Sequence, residues 1–450
     1  MLVCPTHQDI GFTNATRQYA IKRIPPLGLM YLSSTLRARG YRTSLLDLTI
    51  DSITPERLYD EAVAADTLFV GFYSTLVNAP VVREYVRAVK DREPDLPVVV
   101  GGPSSMEPHK FLEAGVDVVV QGEGERTVVE LAGALAQGTD VAGMHGTAIL
   151  RNGRVVTGPP RKQIAELDEL PFPDRTFTDP DNYYDYFNIT SNQPFTSIIC
   201  SRGCPNRCAY CTSPSFWGRP RYRSIENVRD EVLMLHETMG IKYLDIVDDT
   251  FNADPAWLDR FLDMMIGLDQ GIEWSCNLFP FKRDPPLEKM RRAGCTTLKL
   301  GVQSACPEVL RKIHRAPDSA EACQRIVTQA KGLGYLTFLD VIFGLPGESP
   351  ATIERNMAYT YDVDATITKY YRHLLLEGSE LSSKAGEGEL CDLSPEEIDD
   401  FVDTAWRTFY LRPGKVAEVM TWFLSKPRAY TRLGAYLAAF QGLGLLGVKG

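Results

Sequence analysis

A chain of 450 residues exceeds what one ordinary core organises and points to two or three domains. At 44% hydrophobic and 24% charged it reads as a soluble globular protein, and a net charge of -10 disfavours nonspecific nucleic-acid binding. No apolar run approaches the length of a membrane span, and the start Met1-Leu2-Val3-Cys4-Pro5 lacks a basic region followed by an apolar one, so the cytoplasm is the expected compartment.

Residues 1–140 repeat a strand-then-helix rhythm. Helical patterns over 27–39, 55–65, 79–91, 108–114 and 125–137 alternate with strand patterns over 43–47, 67–72, 97–100 and 116–120. Continuous apolar runs such as Val98-Val99-Val100 suit strands buried on both faces, which predicts a doubly wound, Rossmann-like parallel sheet. Such sheets bind ligands at the carboxyl ends of their strands, where this chain carries Ser74 and Thr75, Gly101 and Gly102, and Gly122 and Glu123. Glycines there let backbone approach a large ligand closely. A dinucleotide is disfavoured, because Pro5-Thr6-His7 follows the first strand where a G-x-G-x-x-G turn should stand, and Glu123 and Glu125 would repel a pyrophosphate.

Residues 141–195 read as a linker. A hairpin pattern over 143–156 turns at Asn152-Gly153, and Pro159-Pro160, Pro171-Phe172-Pro173 and the aromatics Tyr183, Tyr184 and Tyr186 follow, the last expected to pack under the next domain. Over 196–376 the alternation resumes, with strands at 197–200, 243–247, 272–276, 297–302, 337–343 and 365–371 and helices at 224–239, 255–268, 285–293, 318–332 and 350–361. Six parallel strands make a partial (β/α)6 barrel of TIM type, whose ligands gather at the strands' carboxyl ends. Residues 377–450 read as a helical region: Ser394-Pro395-Glu396-Glu397 opens a helix over 395–410, Arg412-Pro413-Gly414 breaks it, and helices over 415–424 and 428–446 follow, the last docking by an apolar face.

The first barrel strand leads into Cys204, Cys208 and Cys211, spaced C-x3-C-x2-C. Three thiolates so close can wrap one face of a cubane cluster and leave the fourth iron open to a small molecule. Structural zinc wants four closed ligands, and Cys200, the nearest extra thiol, ends the apolar run Ser197-Ile198-Ile199 of a buried strand. The ten cysteines otherwise fit a reducing compartment; Cys276, Cys295, Cys306 and Cys323 read as packing thiols, with Cys276 alone placed to face a substrate. Later strand ends carry Asp248-Asp249, Gln303-Ser304, Gly344-Leu345-Pro346-Gly347-Glu348 and Tyr370-Tyr371-Arg372-His373. Singly these are weak, since an Asp pair can cap a helix and Gly-x-Pro-Gly is a turn; Tyr371 and His373 could equally line a substrate site or be structural.

The cysteine spacing, with Tyr210 before Cys211, resembles the signature of the radical S-adenosylmethionine superfamily, and the order of strand-end groups after it strengthens the match. The resemblance implies a 4Fe-4S cluster on Cys204, Cys208 and Cys211, with its open iron chelated by the methionyl amine and carboxylate of S-adenosylmethionine. It further implies that Asp248 or Asp249 accepts hydrogen bonds from the methionyl ammonium, that Gln303 and Ser304 lie near its ribose and methionine portions, and that Gly344 lies near adenine. The order Pro25-Pro26-Leu27-Gly28, Gly101-Gly102-Pro103 and Gly122-Glu123-Gly124-Glu125 resembles the cobalamin-binding domain that precedes many such barrels, with Ser74, Thr75, Gly101, Gly102, Gly122 and Glu123 as contacts. The Asp-x-His-x-x-Gly loop that supplies an axial histidine in mutases and methionine synthase is missing, and neither His7 nor His109 sits in one.

Together the two resemblances imply a cobalamin-dependent radical S-adenosylmethionine enzyme. Its expected reaction is methylation of an unactivated carbon of a small molecule through a 5'-deoxyadenosyl radical and methylcobalamin, with electrons from a flavodoxin- or ferredoxin-type donor. Cyclisation, oxygenation or rearrangement is the alternative, and a noncatalytic cobalamin or iron-sulfur scaffold the minor one.

Overall fold

Five strands of the computed structural model form a parallel sheet in the spatial order Leu45–Asp47, Leu2–Cys4, Val70–Tyr73, Val98–Gly101 and Val118–Val120. The structure describes residues 1–6, 22–185, 194–384 and 390–424; His7, Tyr186 and the expected helix over 428–446 lie outside them. Alternate side chains feed two cores, which is why the strands read as unbroken apolar runs. Val3, Val70, Phe72, Val98 and Val100 meet the helices Pro55–Ala64 and Ala79–Arg92, whereas Leu2, Leu45, Val99 and Val118 meet Leu27–Arg37 and Glu125–Ala136. The strand order reverses between Leu2–Cys4 and Val70–Tyr73, and the crevice of such a switch point opens where Ser74 and Thr75 stand.

The expected hairpin forms, turning at Asn152 and Gly153 with φ of 51° and 71°, the pair of positive values that a tight hairpin turn requires. It is not part of the connection, however. Thr147–Arg151 pairs antiparallel with Val118–Val120, so the first sheet continues through Arg154–Thr157 and ends well past residue 140. The polar-apolar alternation gave the hairpin, but nothing local could say which sheet edge it would cover.

The second sheet has six parallel strands in chain order: Phe195–Ile198, Tyr243–Ile246, Glu273–Leu278, Cys295–Gln303, Leu336–Phe343 and Ile367–Arg372. Leu244, Cys276, Leu298, Leu300, Leu339, Val341, Phe343 and Tyr370 pack in one large core with the surrounding helices. Cys276 is therefore wholly buried in that core and does not face a substrate. Asp245, Ser275 and Lys299 alternate with those residues and meet one another instead: Ser275 Oγ donates to Asp245 at 2.7 Å, and Lys299 pairs with it at 2.5 Å. Two short helices, Ser213–Phe216 and Pro307–Lys312, were not legible in the sequence.

Tyr183 packs against Phe195 and Tyr243, the opening residues of the first two strands, under the barrel as the aromatic cluster predicts. Its hydroxyl donates to Asp47 of the first sheet at 3.1 Å. The helix Pro395–Tyr410 has the expected capping box and lies along the last strand, where Trp406 Nε1 donates to the Tyr370 carbonyl. Pro413 opens the next helix, Pro413–Leu424, directly after it. Among the described residues no helix is long and apolar enough to cross a membrane.

The two sheets are joined by buried charge. Arg202, only 5% exposed, pairs with Glu123 at 2.7 Å and Glu125 at 2.6 Å and lies over the rings of Tyr31 and Trp217. Arg221 also reaches Glu123, at 2.8 Å. Burial works against the Glu123 carboxylate, yet the Arg202 charge and its hydrogen bonds hold its pKa below the usual range. Removing one partner from such a cluster strands the others. Arg202→Met should cost about 3–5 kcal/mol in urea unfolding, while Arg202→Met with Glu123→Gln and Glu125→Gln should recover much of it; a loss near zero in the single variant would show that the pairing holds nothing.

Candidate active site

The cysteine loop begins where the backbone allows no side chain. Gly203 has φ +95°, and a Cβ there would meet the Arg219 carbonyl at 2.7 Å. The loop is then pinned from two sides: Ala209 N–H donates to the Ile313 carbonyl at 3.2 Å, and Leu381 N–H donates to the Ala209 carbonyl at 3.0 Å. Cys204 Sγ lies 3.2 Å from Thr250 Oγ1, Asn206 Nδ2 donates to Cys204 Sγ, and Ser213 N–H donates to Cys211 Sγ at 3.4 Å. Burial pushes the Cys208 thiol up against the opposing charge of Arg315, and pushes the Cys211 thiol up to about 12, with neighbouring loop thiols adding to both shifts. Iron would have to displace those protons.

Among the described residues no group of three or more His, Cys, Asp or Glu is set to hold a single metal ion. Three thiols within electrostatic reach of one another, without a fourth ligand, fit a cluster bound through separate irons better than tetrahedral zinc. Cys200 takes no part. It lies two residues past Phe195–Ile198, fully buried in the core.

The acidic pair after the second strand divides its labour. Asp248 is buried and already committed, accepting from Cys200 N–H at 2.7 Å and Ser201 Oγ at 2.5 Å, and burial lifts its pKa to about 7. Asp249 is exposed and accepts from Ser213 Oγ, beside the cysteine loop. The surrounding protein raises its pKa too, so a cation there would be welcome. Asp249 is the member of the pair that can receive an ammonium, and Asp248 instead braces the backbone leading into the loop.

Gln303 sits at a register shift in its strand with φ 68°, and its Oε1 is buried without a partner among the described residues. An orphaned acceptor of that kind asks for a donor. Ser304 is different: its hydroxyl donates to Asn356 Oδ1 at 3.1 Å, Asn356 donates to Glu348 at 2.8 Å, and Glu348 accepts from Gly344 N–H at 2.7 Å. Ser304 and Gly344 thus belong to one buried network, and Gly344 with φ +86° abuts Ile398 of the C-terminal helix. The Ser304 hydroxyl and the Gly344 N–H are therefore engaged within the protein, which leaves only their other atoms for the contacts with S-adenosylmethionine that the resemblance implies.

One residue escaped the sequence reading. Arg315 is 6% exposed, stacks 4.4 Å over the Phe279 ring, and donates to the Gly301 carbonyl at 2.6 Å and toward Tyr210 Oη at 3.4 Å. Among the described residues no carboxylate pairs with it. Its charge and a side-chain hydrogen bond act on the Cys208 thiol, and a buried guanidinium with no carboxylate can also take a ligand anion, but a single arginine after Ile313-His314 has no spacing that announces it.

Strand alternation places Tyr371 on the face opposite Tyr370 and Arg372, which pack outward on Trp406 and Asp399, and His373 follows one residue past the strand's end. Tyr371 Oη reaches toward Asp340 at 3.5 Å. His373 Nε2 is buried without a partner among the described residues, and burial pulls the ring's pKa down to about 4, leaving it neutral at physiological pH.

At the first sheet's crevice the hydroxyls of Ser74, Thr75 and Ser105 are buried without partners among the described residues, a cradle of polar atoms awaiting a ligand. Gly102 closes the loop on itself, since a Cβ would sit 2.6 Å from the Ser74 carbonyl, and Gly101 has ordinary contacts with Val120. Gly122, with φ +75°, meets nothing within 4 Å and borders open space. Glu123, expected at the cofactor, is consumed by Arg202 and Arg221 and by the Ile164 N–H at 2.8 Å. His109 is exposed at the start of the short helix His109–Leu112.

The model of the radical SAM superfamily matches residues 198–359, and that of the B12 binding domain matches residues 20–132. The chain belongs to the cobalamin-binding radical S-adenosylmethionine enzymes. Its cofactors are accordingly a 4Fe-4S cluster, S-adenosylmethionine and cobalamin. An uncharacterized methyltransferase of Pyrococcus horikoshii is 28% identical, over 88% of this chain and 90% of its own length. An anaerobic magnesium-protoporphyrin IX monomethyl ester cyclase of Synechocystis is 27% identical over 70% of this chain, which spans 63% of that relative. The methyltransferase TsrM from Kitasatospora setae, solved with cobalamin and a [4Fe-4S] cluster bound, shares the fold with a TM-score of 0.68 at 23% identity, over 85% of this chain and 74% of its own.

Two predictions test the residue assignments within this family. Alanine at Cys204, Cys208 and Cys211 together should remove the iron from anaerobically purified protein, whereas Cys200→Ala should leave iron content unchanged; cluster loss in the latter would overturn the ligand set. Asp249→Asn should weaken S-adenosylmethionine binding by about 1.5 to 3 kcal/mol, the range for charge-assisted hydrogen bonds. Asp248→Asn should instead show itself in thermal stability, and calorimetry on both variants separates the two roles.

Proposed function

We propose that this chain is a methyltransferase acting on an unactivated carbon of a small-molecule substrate, drawing electrons from a flavodoxin- or ferredoxin-type donor. The observation that carries the reading is the buried Arg202 cluster, which ties the glycine loop at 122–125 to the residue two places before Cys204. On this reading the loop at 122–125 serves cobalamin and the loop at 204–211 the cluster, and a reaction using both on one substrate requires the two to be adjacent. Near-full-length similarity to a relative named as a methyltransferase supports it.

When bound, the cluster and S-adenosylmethionine supply a radical that takes hydrogen from a C–H bond, and cobalamin supplies the methyl group. The chain's own residues bind and orient. Cys204, Cys208 and Cys211 would hold the cluster; Asp249 would accept from the methionyl ammonium, Arg315 would pair with the methionyl carboxylate, and Gln303 Oε1 would accept from the ribose. Ser74, Thr75 and Ser105 would donate to the cobalamin periphery, with Gly122 leaving room for it. Tyr371 and His373 would line the substrate space, and neutral His373 can accept or donate a hydrogen bond there without bringing a charge.

Cyclisation is the second reading, favoured by the relatives named as cyclases. The product ratio decides between them. Methylation should yield S-adenosylhomocysteine and 5'-deoxyadenosine together, whereas cyclisation yields the latter alone. Upstream of that, wild-type protein should take up one cobalamin, and Gly122→Phe should block uptake with iron content intact, with Gly122→Ala much milder. Wild-type protein that holds its cluster and binds no cobalamin would sink the methyltransferase reading.

A further inference from the structure

The electron that starts the reaction must cross the protein surface to reach the cysteine loop. Arg207, between Cys204 and Cys208, is exposed. The hydrogen bond from Ala209 N–H to the Ile313 carbonyl lays the end of helix Pro307–Lys312 against this loop, which brings exposed Arg311 and Lys312 near it. The bond from Leu381 N–H to the Ala209 carbonyl brings up a third segment, where Glu380 pairs with Lys384 at 2.6 Å and with His314 at 3.4 Å.

Among the described residues the exposed charge here is mainly basic, with Asp392 the acid on the segment that bonds Gly347 and Glu348 beside Lys312. Glu380 has its two basic partners, and Glu308, the acid that Arg311 also feels, is bonded to Arg355. Among the described residues no ion pair occupies Arg207, Arg311 or Lys312. On a chain of net charge -10 such a face runs against the molecule's general field, and a cationic surface at a redox centre selects an anionic partner by steering it to that spot.

We propose that Arg207, Arg311 and Lys312 form the docking surface for an acidic one-electron donor protein, which delivers its electron through the 204–211 loop. The proposal rests on the radical S-adenosylmethionine reading and adds the place and sign of the contact. Only an electron crosses: the donor is oxidised by one equivalent and the cluster reduced by one.

The test uses the full chain with its cluster reconstituted and a reduced, acidic flavodoxin as donor. Arg311→Glu with Lys312→Glu should slow flavodoxin-driven reduction of the cluster at least tenfold at low salt, and the deficit should shrink as ionic strength rises. Reduction by dithionite, followed by the electron paramagnetic resonance signal and by S-adenosylmethionine cleavage, should match wild type, which excludes damage to the cluster. Equal flavodoxin rates in variant and wild type, or a deficit insensitive to salt, would overturn the docking surface. Wild-type protein whose dithionite-reduced cluster does not cleave S-adenosylmethionine would overturn the enzyme reading, and the docking surface with it.

Discussion

Arg202 is the hinge pin of this molecule. A guanidinium this deeply buried is tolerable only with its charge met, and Glu123 and Glu125 meet it from the other sheet. The pairing is not a source of much net stability, because desolvating three charges offsets most of their attraction. Its effect is specificity of placement. Glu123 and Glu125 flank Gly124 at the end of the strand Val118–Val120, and Arg202 precedes Gly203 and Cys204, so two loops meant for different cofactors have one relative position. The rings of Tyr31 and Trp217 on the guanidinium close the cluster against water.

Other contacts repeat this pattern around the cleft. Tyr183 bridges the bottom of the second sheet to Asp47 of the first. On the open side, Lys110 pairs with Glu377 at 2.9 Å, Met106 touches the space beside Gly378, and Ser215 donates to the Gly378 carbonyl. The segment running through 377, 378 and 381 therefore touches the loop after Val98–Gly101 and the cysteine loop alike. A reaction in which a radical and a methyl donor must reach one carbon depends on such fixed separation, since misplaced cofactors would expose the radical to quenching.

Much of this was legible because it follows from local rules. Valine runs gave buried parallel strands, Asn152-Gly153 gave a hairpin, Ser394 with Glu397 gave a capping box, and the cysteine spacing gave the cluster loop. What escaped is what depends on burial between distant segments. Glu123 sits in a glycine loop that looks like a ligand contact, yet its carboxylate is claimed by arginines 79 and 98 residues away. Asp248 and Asp249 are indistinguishable in sequence, and only the fold decides that one braces backbone while the other is exposed beside the cysteine loop. Arg315 had no motif at all, and its meaning comes from burial beside Cys208 with no carboxylate to pair it among the described residues.

The same logic explains why the frame serves relatives named for different reactions. The residues that hold cofactors are fixed by the backbone ends of both sheets and by their own networks, such as Ser304, Asn356 and Glu348 beneath the fifth strand. The residues proposed to meet a substrate stand at the end of the last strand: Tyr371 beside Asp340, and His373 just past it with its ring nitrogen unmatched among the described residues. On that proposal, changing those side chains would alter which carbon is presented and leave Arg202, Glu348 and the thiols in place. On the reading proposed above, chemistry comes from the cofactors and from the buried ions that position them, and Tyr371 and His373 at the end of the last strand are where the outcome would be set.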